Sequence, residues 1–219
     1  MSELQLEASR RNVSELGREM LSTGLTEGGT GGNISERGED GRVAISPTRI
    51  PYTEIEPADV PVVDLEGERV AGETPASSET PMHTMIYQER DDVGGVVHTH
   101  SIYASAFATL GKPIPASHYL LAYVGKEVPV AGFDQPGTAE LGQRAVDALG
   151  DEHDACLLQH HGVIAVGETA ADALENAMMV EYCAKVHCLA NSMGDPVVLD
   201  DDDLDELIDG FDEYRSQDL

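Results

Sequence analysis

The sequence predicts an α/β sandwich built around a mixed sheet. Amphipathic helical stretches alternate with short runs of β-branched and apolar residues, which is the pattern of a layered α/β fold. The chain of 219 residues is long enough for a substantial core, and it contains neither an internal repeat nor a long linker. The sequence therefore predicts a single domain over residues 1–219.

In the N-terminal half, proline marks several boundaries between elements. Pro47 ends one strand pattern, Pro57 and Pro61 interrupt a stretch of short strands, and Pro81 stands near the first turn of a helix that hydroxyl residues introduce. The predicted elements are a helix over 4–23, a glycine-rich turn feeding a strand over 25–37, a strand over 42–48, short strands and turns over 52–73, a helix beginning within 77–92 and a strand over 93–100.

The C-terminal half continues the alternation. Gly111 and Gly194 stand where helical patterns end, and Thr169 stands where the longest one begins. The predicted elements are a helix over 101–111, a short helix over 118–124, a strand over 128–132, a helix over 138–151, two short strands around a His-His-Gly turn over 155–167 and one long helix over 169–194.

The charge balance is strongly acidic. Asp and Glu number 41 against 13 Lys and Arg, so the formal net charge is −28. Such self-repulsion strains a compact fold at low salt, and it is screened when the Debye length falls to about 3 Å near 1 M salt. Because the acids are spread along the chain, we favour adaptation to a high-salt cytoplasm, as in a halophilic archaeon, over an acidic tail at 199–214 that binds a basic partner.

Composition argues against several function classes. No stretch approaches the roughly 20 apolar residues of a membrane helix, and the charged N-terminal pattern lacks the apolar core of a signal peptide. We therefore expect a cytoplasmic protein without membrane contact. No basic stripe is present, which disfavours nucleic-acid binding. Cys156, Cys183 and Cys188 lack CxxC spacing, which excludes a zinc ribbon and indicates small core residues.

Two histidines, His98 and His100, stand one residue apart at the end of the apolar run "GGVVHTHS". Side chains on a strand alternate between its faces, so both imidazoles point to one side. The pair alone fits a metal site and a pair of histidines bonded to acids equally well. Either His160 or His161 supplies a third imidazole, and Glu79 supplies an oxygen. This set matches a catalytic zinc site with an open position, although imidazole also suits other divalent ions.

Three turns rich in glycine or hydroxyl residues are candidates for binding an anion. The turn "GGTGGN" (28–33) is neither a Walker loop nor a dinucleotide-binding loop, and it fits either a flexible turn or a nest of backbone N–H groups. The turn "SPT" (46–48) and the pair Ser77-Ser78 add hydroxyl donors. The two serines precede a helix N-terminus, where an anion is favoured and where serine also acts as a cap.

Seven motifs in this order resemble the class II sugar-phosphate aldolases of the L-fuculose-1-phosphate aldolase family, which also contains L-ribulose-5-phosphate 4-epimerases. They cover nearly the whole chain: "GGTGGNIS", "SPTRIPY", "PASSETPMHTMIYQ", "VVHTHS", "ASHYLLA", "LLQHHGVIA" and "GFDEY". The resemblance implies a three-layer α/β/α sandwich with a central mixed, mostly antiparallel sheet. It also implies a homotetramer with active sites at subunit interfaces, and one divalent metal ion per subunit, usually zinc, with manganese or another ion as the alternative.

The resemblance assigns roles around the metal. It makes metal ligands of His98, His100 and His161. Glu79 matches a fourth ligand that moves aside to act as the base. His160 has no assigned role in the family pattern and is therefore expected to be structural.

The resemblance also assigns substrate-binding residues. Tyr119 matches a proton donor supplied by the neighbouring subunit, and Tyr214 matches a mobile C-terminal tyrosine near the aldehyde. Arg49 departs from the family, in which glycine is common at this position; its guanidinium either adds a charge-assisted phosphate contact or points away. This departure leaves the exact substrate open. The other positions that hold the substrate phosphate in the family are Gly32, Asn33, Thr48, Ser77 and Ser78.

The implied reaction is the reversible cleavage of a ketose 1-phosphate to dihydroxyacetone phosphate and an aldehyde. The substrate is L-fuculose 1-phosphate or a related deoxyketose or pentulose phosphate. No lysine lies in the seven motifs, so a Schiff-base mechanism is not expected. Three alternatives stay open: a 4-epimerase, in which the position of Glu79 is typically aspartate; a methylthioribulose-phosphate dehydratase; and a non-catalytic adducin-like module, which lacks the metal ligands.

Overall fold

The computed structural model describes residues 6–26 and 31–215, and the side chain of Tyr214 lies outside the described part. The four residues 27–30, which belong to the glycine-rich turn, also lie outside it. None of the described helices is both long enough and apolar enough to span a membrane. The described α-helices are α1 Glu7–Ser22, α2 Thr80–Glu89, α3 Ile102–Leu110, α4 Ala139–Leu149, α5 Ala170–Met193 and α6 Asp201–Arg215.

One large sheet forms the centre of the fold. Its eight strands follow the order β4-β3-β2-β1-β5-β10-β9-β8, and β6 pairs with β7 separately. Every neighbouring pair is antiparallel except β8 and β9, which confirms the predicted mixed, mostly antiparallel sheet. The strands are β1 Asn33–Arg37, β2 Val43–Ile45, β3 Val62–Val63, β4 Arg69–Ala71, β5 Gly95–Thr99, β6 Ile114–Pro115, β7 Glu127–Val128, β8 Val130–Ala131, β9 Ala155–Leu158 and β10 Gly162–Gly167.

Apolar residues of the central strands alternate between two cores, one on each face of the sheet. Val97 belongs to the core that α1, α3 and α5 cover, whereas its neighbour Val96 belongs to the core that α2 and α4 cover. The same alternation continues in β10, where Val163 and Ile164 belong to opposite cores. Two helical layers on one sheet confirm the predicted three-layer α/β/α sandwich.

The structure contains a strand, β6, that the sequence pattern did not predict, and it differs from the predicted elements in two further places. The strand predicted over 128–132 is divided at Pro129 between two sheets, because proline has no N–H to donate to a ladder. The acidic segment 199–214, to which the sequence pattern assigned no element, contains helix α6. This helix packs on the short 3-10 helix Tyr119–Tyr123, where the rings of Tyr123 and Phe211 lie 4.0 Å apart.

Candidate metal centre and active site

The middle of the sheet carries the first two histidines. Strand β5 lies between β1 and β10, and His98 shares the strand face of Val96, which packs towards the α2 layer. Glu79 is the residue directly before α2, so it reaches the same face. Its Oε2 lies 3.3 Å from His98 Nε2, and the Nε2 atoms of His98 and His100 are 2.9 Å apart.

The turn between β9 and β10 brings in the third histidine. His160 adopts a left-handed backbone with φ of 59° and is exposed, while the next residue, His161, points to the cluster. The ring of His161 lies 4.7 Å from that of His98 and 5.2 Å from that of His100. Gly162 permits this close approach, because a Cβ there would lie 2.2 Å from the carbonyl oxygen of Thr99. The structure therefore places His161, and not His160, in the cluster.

Two hydrogen-bond acceptors face each other in the cluster. His98 Nδ1 lies 2.8 Å from the carbonyl oxygen of Val163 and donates its proton to it, so Nε2 of the neutral ring carries only a lone pair. That lone pair faces Glu79 Oε2, which is buried and has no hydrogen-bond partner among the described residues. Two acceptors at this distance repel each other unless a cation or a proton lies between them.

Burial sets the protonation of the cluster. It lowers the pKa of His98 well below the usual value, with the neighbouring imidazoles of His161 and His100 adding to the effect. Burial also lowers the pKa of His100, and it lowers the pKa of His161 to about 4. It raises the pKa of Glu79 to about 6, against the opposing effect of a hydrogen bond from Asn33. The imidazoles are therefore neutral donors near pH 7, as metal ligation requires.

The donor atoms fit one divalent metal ion. One nitrogen from each of His98, His100 and His161 lies within 4.8 Å of the others. Ligands about 2.0–2.1 Å from a tetrahedral zinc ion are about 3.3 Å apart. The measured separations of 2.9 Å between two imidazole nitrogens and 3.3 Å between His98 and Glu79 are close to that value. These four residues are the candidates to hold the ion.

A carboxylate from another layer fixes the chain after His100. Helix α3 begins at Ile102 without a side-chain cap from Ser101. Instead, the Glu181 carboxylate on α5 accepts hydrogen bonds from the backbone N–H groups of Tyr103 at 3.1 Å and Ala104 at 2.9 Å. A carboxylate at a helix N-terminus is favourable, so Glu181 anchors the turn that follows the His100 imidazole.

The described end of the glycine-rich turn, residues 31–33, lies near the turns that contain Thr48 and Ser77. The backbone N–H of Ser77 donates to the Ser46 carbonyl at 3.1 Å, and that of Thr48 donates to the Pro75 carbonyl at 3.1 Å. Gly32 adopts a left-handed φ of 71°, and a Cβ there would lie 2.4 Å from the carbonyl oxygen of His98. Hydrogen bonds thus hold the predicted phosphate residues Thr48 and Ser77 together, while Gly32 lies against strand β5.

Four further predicted residues lie in different surroundings. Arg49 is exposed and has a left-handed φ of 65°, a conformation that suits the glycine common in the resembled family. Ser78 lies directly before Glu79, and its carbonyl packs against Gly137. Tyr119 is 50% exposed, and its ring neighbours are His118 and Phe211 rather than the histidine cluster. Tyr214 lies in α6, and its side chain is outside the described residues.

Ser46, Tyr52 and His83 support this site, although sequence reasoning included Ser46 only as part of the SPT turn and did not single out Tyr52 or His83. Ser46 Oγ accepts from the backbone N–H of Ile34 at 3.2 Å, and the Tyr52 hydroxyl donates to the Gly32 carbonyl at 3.1 Å. His83 is fully buried below Glu79 on α2. The only sequence signal was their presence inside the quoted motifs, since each bond joins residues distant in sequence.

A family comparison agrees with this geometry. Residues 11–188 match the family described as class II aldolase and adducin N-terminal domain.

Curated relatives cover nearly the full chain. A 5-deoxy-D-ribulose 1-phosphate aldolase of Bacillus thuringiensis serovar kurstaki is 39% identical over 97% of this chain and 99% of its own. A 5-methylthioribulose-1-phosphate/5-deoxyribulose-1-phosphate aldolase of Rhodospirillum rubrum is 36% identical over 94% of this chain and 92% of its own. Among solved structures, an L-fuculose 1-phosphate aldolase superposes with a TM-score of 0.92 and 38% identity, covering 97% of this chain and 100% of that one.

Proposed function

Since the chain belongs to the family of class II aldolases and adducin N-terminal domains and is a lyase, we propose a specific reaction for it. It reversibly cleaves a ketose 1-phosphate to dihydroxyacetone phosphate and an aldehyde, using one divalent metal ion per subunit. One observation carries the proposal: two facing acceptors, His98 Nε2 and Glu79 Oε2, lie 3.3 Å apart beside two more imidazoles. A non-catalytic, adducin-like module gains nothing from two buried acceptors in contact, because the contact is unfavourable without a cation.

The proposed metal ligands are His98, His100, His161 and Glu79. Three neutral imidazoles with one carboxylate are a donor set that suits zinc, so zinc is the proposed ion, and manganese or another divalent ion is the alternative. When bound, the ion supplies Lewis acidity that stabilises negative charge on the substrate oxygen during carbon–carbon cleavage. Glu79 is the single anionic group in the set.

Glu79 and Tyr119 carry the proposed proton transfers. In the synthetic direction Glu79 removes a proton from dihydroxyacetone phosphate, a role that suits a buried carboxylate whose Oε2 lies 3.3 Å from His98 Nε2. Tyr119 of the partner subunit then protonates the new alkoxide at C4. The exposed position of Tyr119, away from the histidines of its own chain, supports a role across an interface. Cleavage reverses both roles, and Tyr214 is proposed to lie near the aldehyde.

The substrate phosphate is proposed to bind between the three turns beside α2. Backbone N–H groups at a helix N-terminus and neighbouring hydroxyl groups are suited to an anion, and the helix dipole adds to the attraction. The hydrogen bonds from Ser77 to Ser46 and from Thr48 to Pro75 support the proposal, because they hold two of the turns in place. The proposed phosphate residues are Gly32, Asn33, Thr48, Arg49, Ser77 and Ser78, and Asn33 contributes the N–H of its side-chain amide that does not point to Glu79.

A substrate panel tests the reaction. We expect dihydroxyacetone phosphate to be released from L-fuculose 1-phosphate, 5-deoxyribulose 1-phosphate or ribulose 1-phosphate, assayed in high salt with added zinc or manganese. The names of the relatives at 39% and 36% identity favour the 5-deoxypentulose phosphate. L-Ribulose 5-phosphate is the matched control for the epimerase. Formation of xylulose 5-phosphate without dihydroxyacetone phosphate would overturn the aldolase assignment, and loss of water from methylthioribulose 1-phosphate would indicate the dehydratase.

Arg49→Gly tests the departure from the family. We expect KM for the ketose 1-phosphate to rise about 3- to 10-fold with kcat nearly unchanged, since a charge-assisted phosphate contact contributes on the order of 1 kcal/mol at an exposed position. Arg49→Lys is the matched control, because it keeps the positive charge and loses the planar guanidinium with its paired N–H donors. An unchanged KM in Arg49→Gly would show that the guanidinium does not contact phosphate.

The proposed assembly is a homotetramer of single-domain subunits, residues 1–219, with active sites at the interfaces. The half-exposed position of Tyr119 supports a role at an interface between subunits, and the number of four subunits follows the family resemblance. The proposed location is a cytoplasm of high salt, where a net charge of −28 is screened. Neither a nucleic acid nor a membrane is a proposed partner.

A further inference from the structure

A row of buried polar side chains leads from the sheet to Glu79. Tyr87, Ser35 and His83 are at most 1% exposed, and Asn33 is 6% exposed. Ser35 Oγ lies 2.8 Å from the Tyr87 hydroxyl and 2.7 Å from His83 Nδ1. On the other side of its ring, His83 Nε2 bonds Asn33 Oδ1, and the Asn33 side chain is the group whose hydrogen bonding lowers the pKa of Glu79. The row therefore ends at the proposed base.

Strand register explains why these side chains meet. Asn33 on β1 pairs directly with His98 on β5, and Ser35 pairs with Val96, so all four occupy one face of the sheet. Helix α2 covers this face and supplies His83 one turn after Glu79. The row is consequently built into the contact between the central strands and α2.

The end of the row at Glu79 determines the direction of each hydrogen bond. A carboxylate only accepts, so the Asn33 amide nitrogen faces Glu79 and Asn33 Oδ1 faces His83. His83 Nε2 then carries the proton, and His83 Nδ1 accepts from the Ser35 hydroxyl. Burial lowers the pKa of His83 to about 3, so the ring is neutral and has one N–H to place.

We infer that His83 is a positioning residue, which orients the Asn33 amide so that its nitrogen holds one oxygen of Glu79. The inference rests on the proposed function, in which Glu79 is ligand and base. Glu79 Oε2 has no hydrogen-bond partner among the described residues, so we assign the Asn33 bond to the other oxygen, Oε1. One carboxylate oxygen is thus fixed while the second stays available to the metal ion or to the substrate proton.

The opposite orientation of Asn33 is disfavoured at both ends. It would set Oδ1 against the Glu79 carboxylate and the amide N–H groups against His83 Nε2–H. Both contacts are repulsive, and neither end is accessible to water that would relieve them. A side chain without an N–H donor at position 83 removes one of these two constraints, so the Asn33 amide is held less firmly in this direction.

The tautomer of His83 tests the inference without any assay of turnover. In the ¹⁵N-labelled protein loaded with zinc, long-range ¹H–¹⁵N correlation distinguishes a protonated Nε2 from a protonated Nδ1. We expect His83 to be neutral with the proton on Nε2, across pH 6–8. A proton on Nδ1 would overturn the inference, even in a fully active enzyme.

Two substitutions test the consequence for catalysis. In His83→Leu we expect kcat to fall about 10- to 100-fold, as loss of an outer hydrogen-bond partner of a metal ligand commonly does, with bound zinc still near one ion per subunit. His83→Gln places an amide N–H2 near the position of Nε2, so we expect it to recover kcat to within about 5-fold of wild type. The measurements are kcat, KM, zinc content and the midpoint of thermal unfolding.

A matched control separates positioning from simple loss of stability. Thr84→Val removes a buried hydroxyl on the same helix, which bonds the Thr80 carbonyl at 3.1 Å and takes no part in the row. We expect it to lower the unfolding temperature without changing kcat. If His83→Leu kept the wild-type kcat, the inference would be wrong. If the wild type cleaved no ketose 1-phosphate but His83 carried its proton on Nε2, the proposed function would fail and the orientation of Asn33 would stand.

Discussion

His100→Ala is expected to remove the metal ion and the turnover together. Alanine deletes an imidazole whose Nε2 lies 2.9 Å from that of His98, and the remaining ligands are two histidines and Glu79. Loss of the charge stabilisation that a bound ion supplies amounts to several kcal/mol, so we expect kcat/KM to fall on the order of 10³-fold or more. The measurements are zinc content after dialysis and the rate of dihydroxyacetone phosphate release.

His160→Asn is the matched control for His100→Ala. His160 is exposed, and asparagine tolerates the left-handed backbone at φ 59°, so this change removes a neighbouring histidine without disturbing the turn. We expect it to retain zinc and activity. An equal loss in both variants would mean that the turn as a whole, rather than the proposed ligand set, supports the activity.

Glu79→Gln is expected to separate metal binding from proton transfer. Glutamine has nearly the same shape, and three imidazoles remain to hold the ion, so we expect at least half of the zinc to stay bound. The amide is not a base, and we expect kcat to fall about 10²- to 10⁴-fold, the usual range for loss of a general base. Zinc content and kcat, measured on the same preparation, check both parts.

Glu79→Asp is the companion variant, since it keeps a carboxylate and withdraws it by one methylene group. We expect a kcat between those of Glu79→Gln and the wild type, because the base is present but displaced. Activity near the wild-type level in Glu79→Gln would contradict the assignment of Glu79 as the base. It would leave the three histidines as a metal site that works with a different proton acceptor.

Most of the fold could be predicted from short-range patterns. Alternation along β5 correctly placed His98 and His100 on one face, because successive side chains on a strand point to opposite faces and residues two apart point to the same face. The division at Pro129 and the helix α6 were missed. The first depends on which strands pair with each half, and the second is an acidic segment whose helical form depends on packing against Tyr123.

The candidate site was less accessible to reasoning from the sequence. The residues alone left His160 and His161 as equal candidates, since the choice depends on a left-handed turn that local sequence does not specify. The contact between His83 and Asn33 joins residues 50 positions apart, and it exists only because α2 crosses the face that β1 and β5 share. Such contacts follow from tertiary packing, which no local pattern encodes.

The central position of β5 also affects the dynamics of the protein. A strand with partners on both sides and helices on both faces opens only when most of the molecule does, so its amide hydrogens exchange last. The outer strands β3 and β4 have two and three residues and can fray on their own. His98, at the centre of the histidine cluster, is therefore carried by the strand that opens last, and fraying of the outer strands leaves its position unchanged.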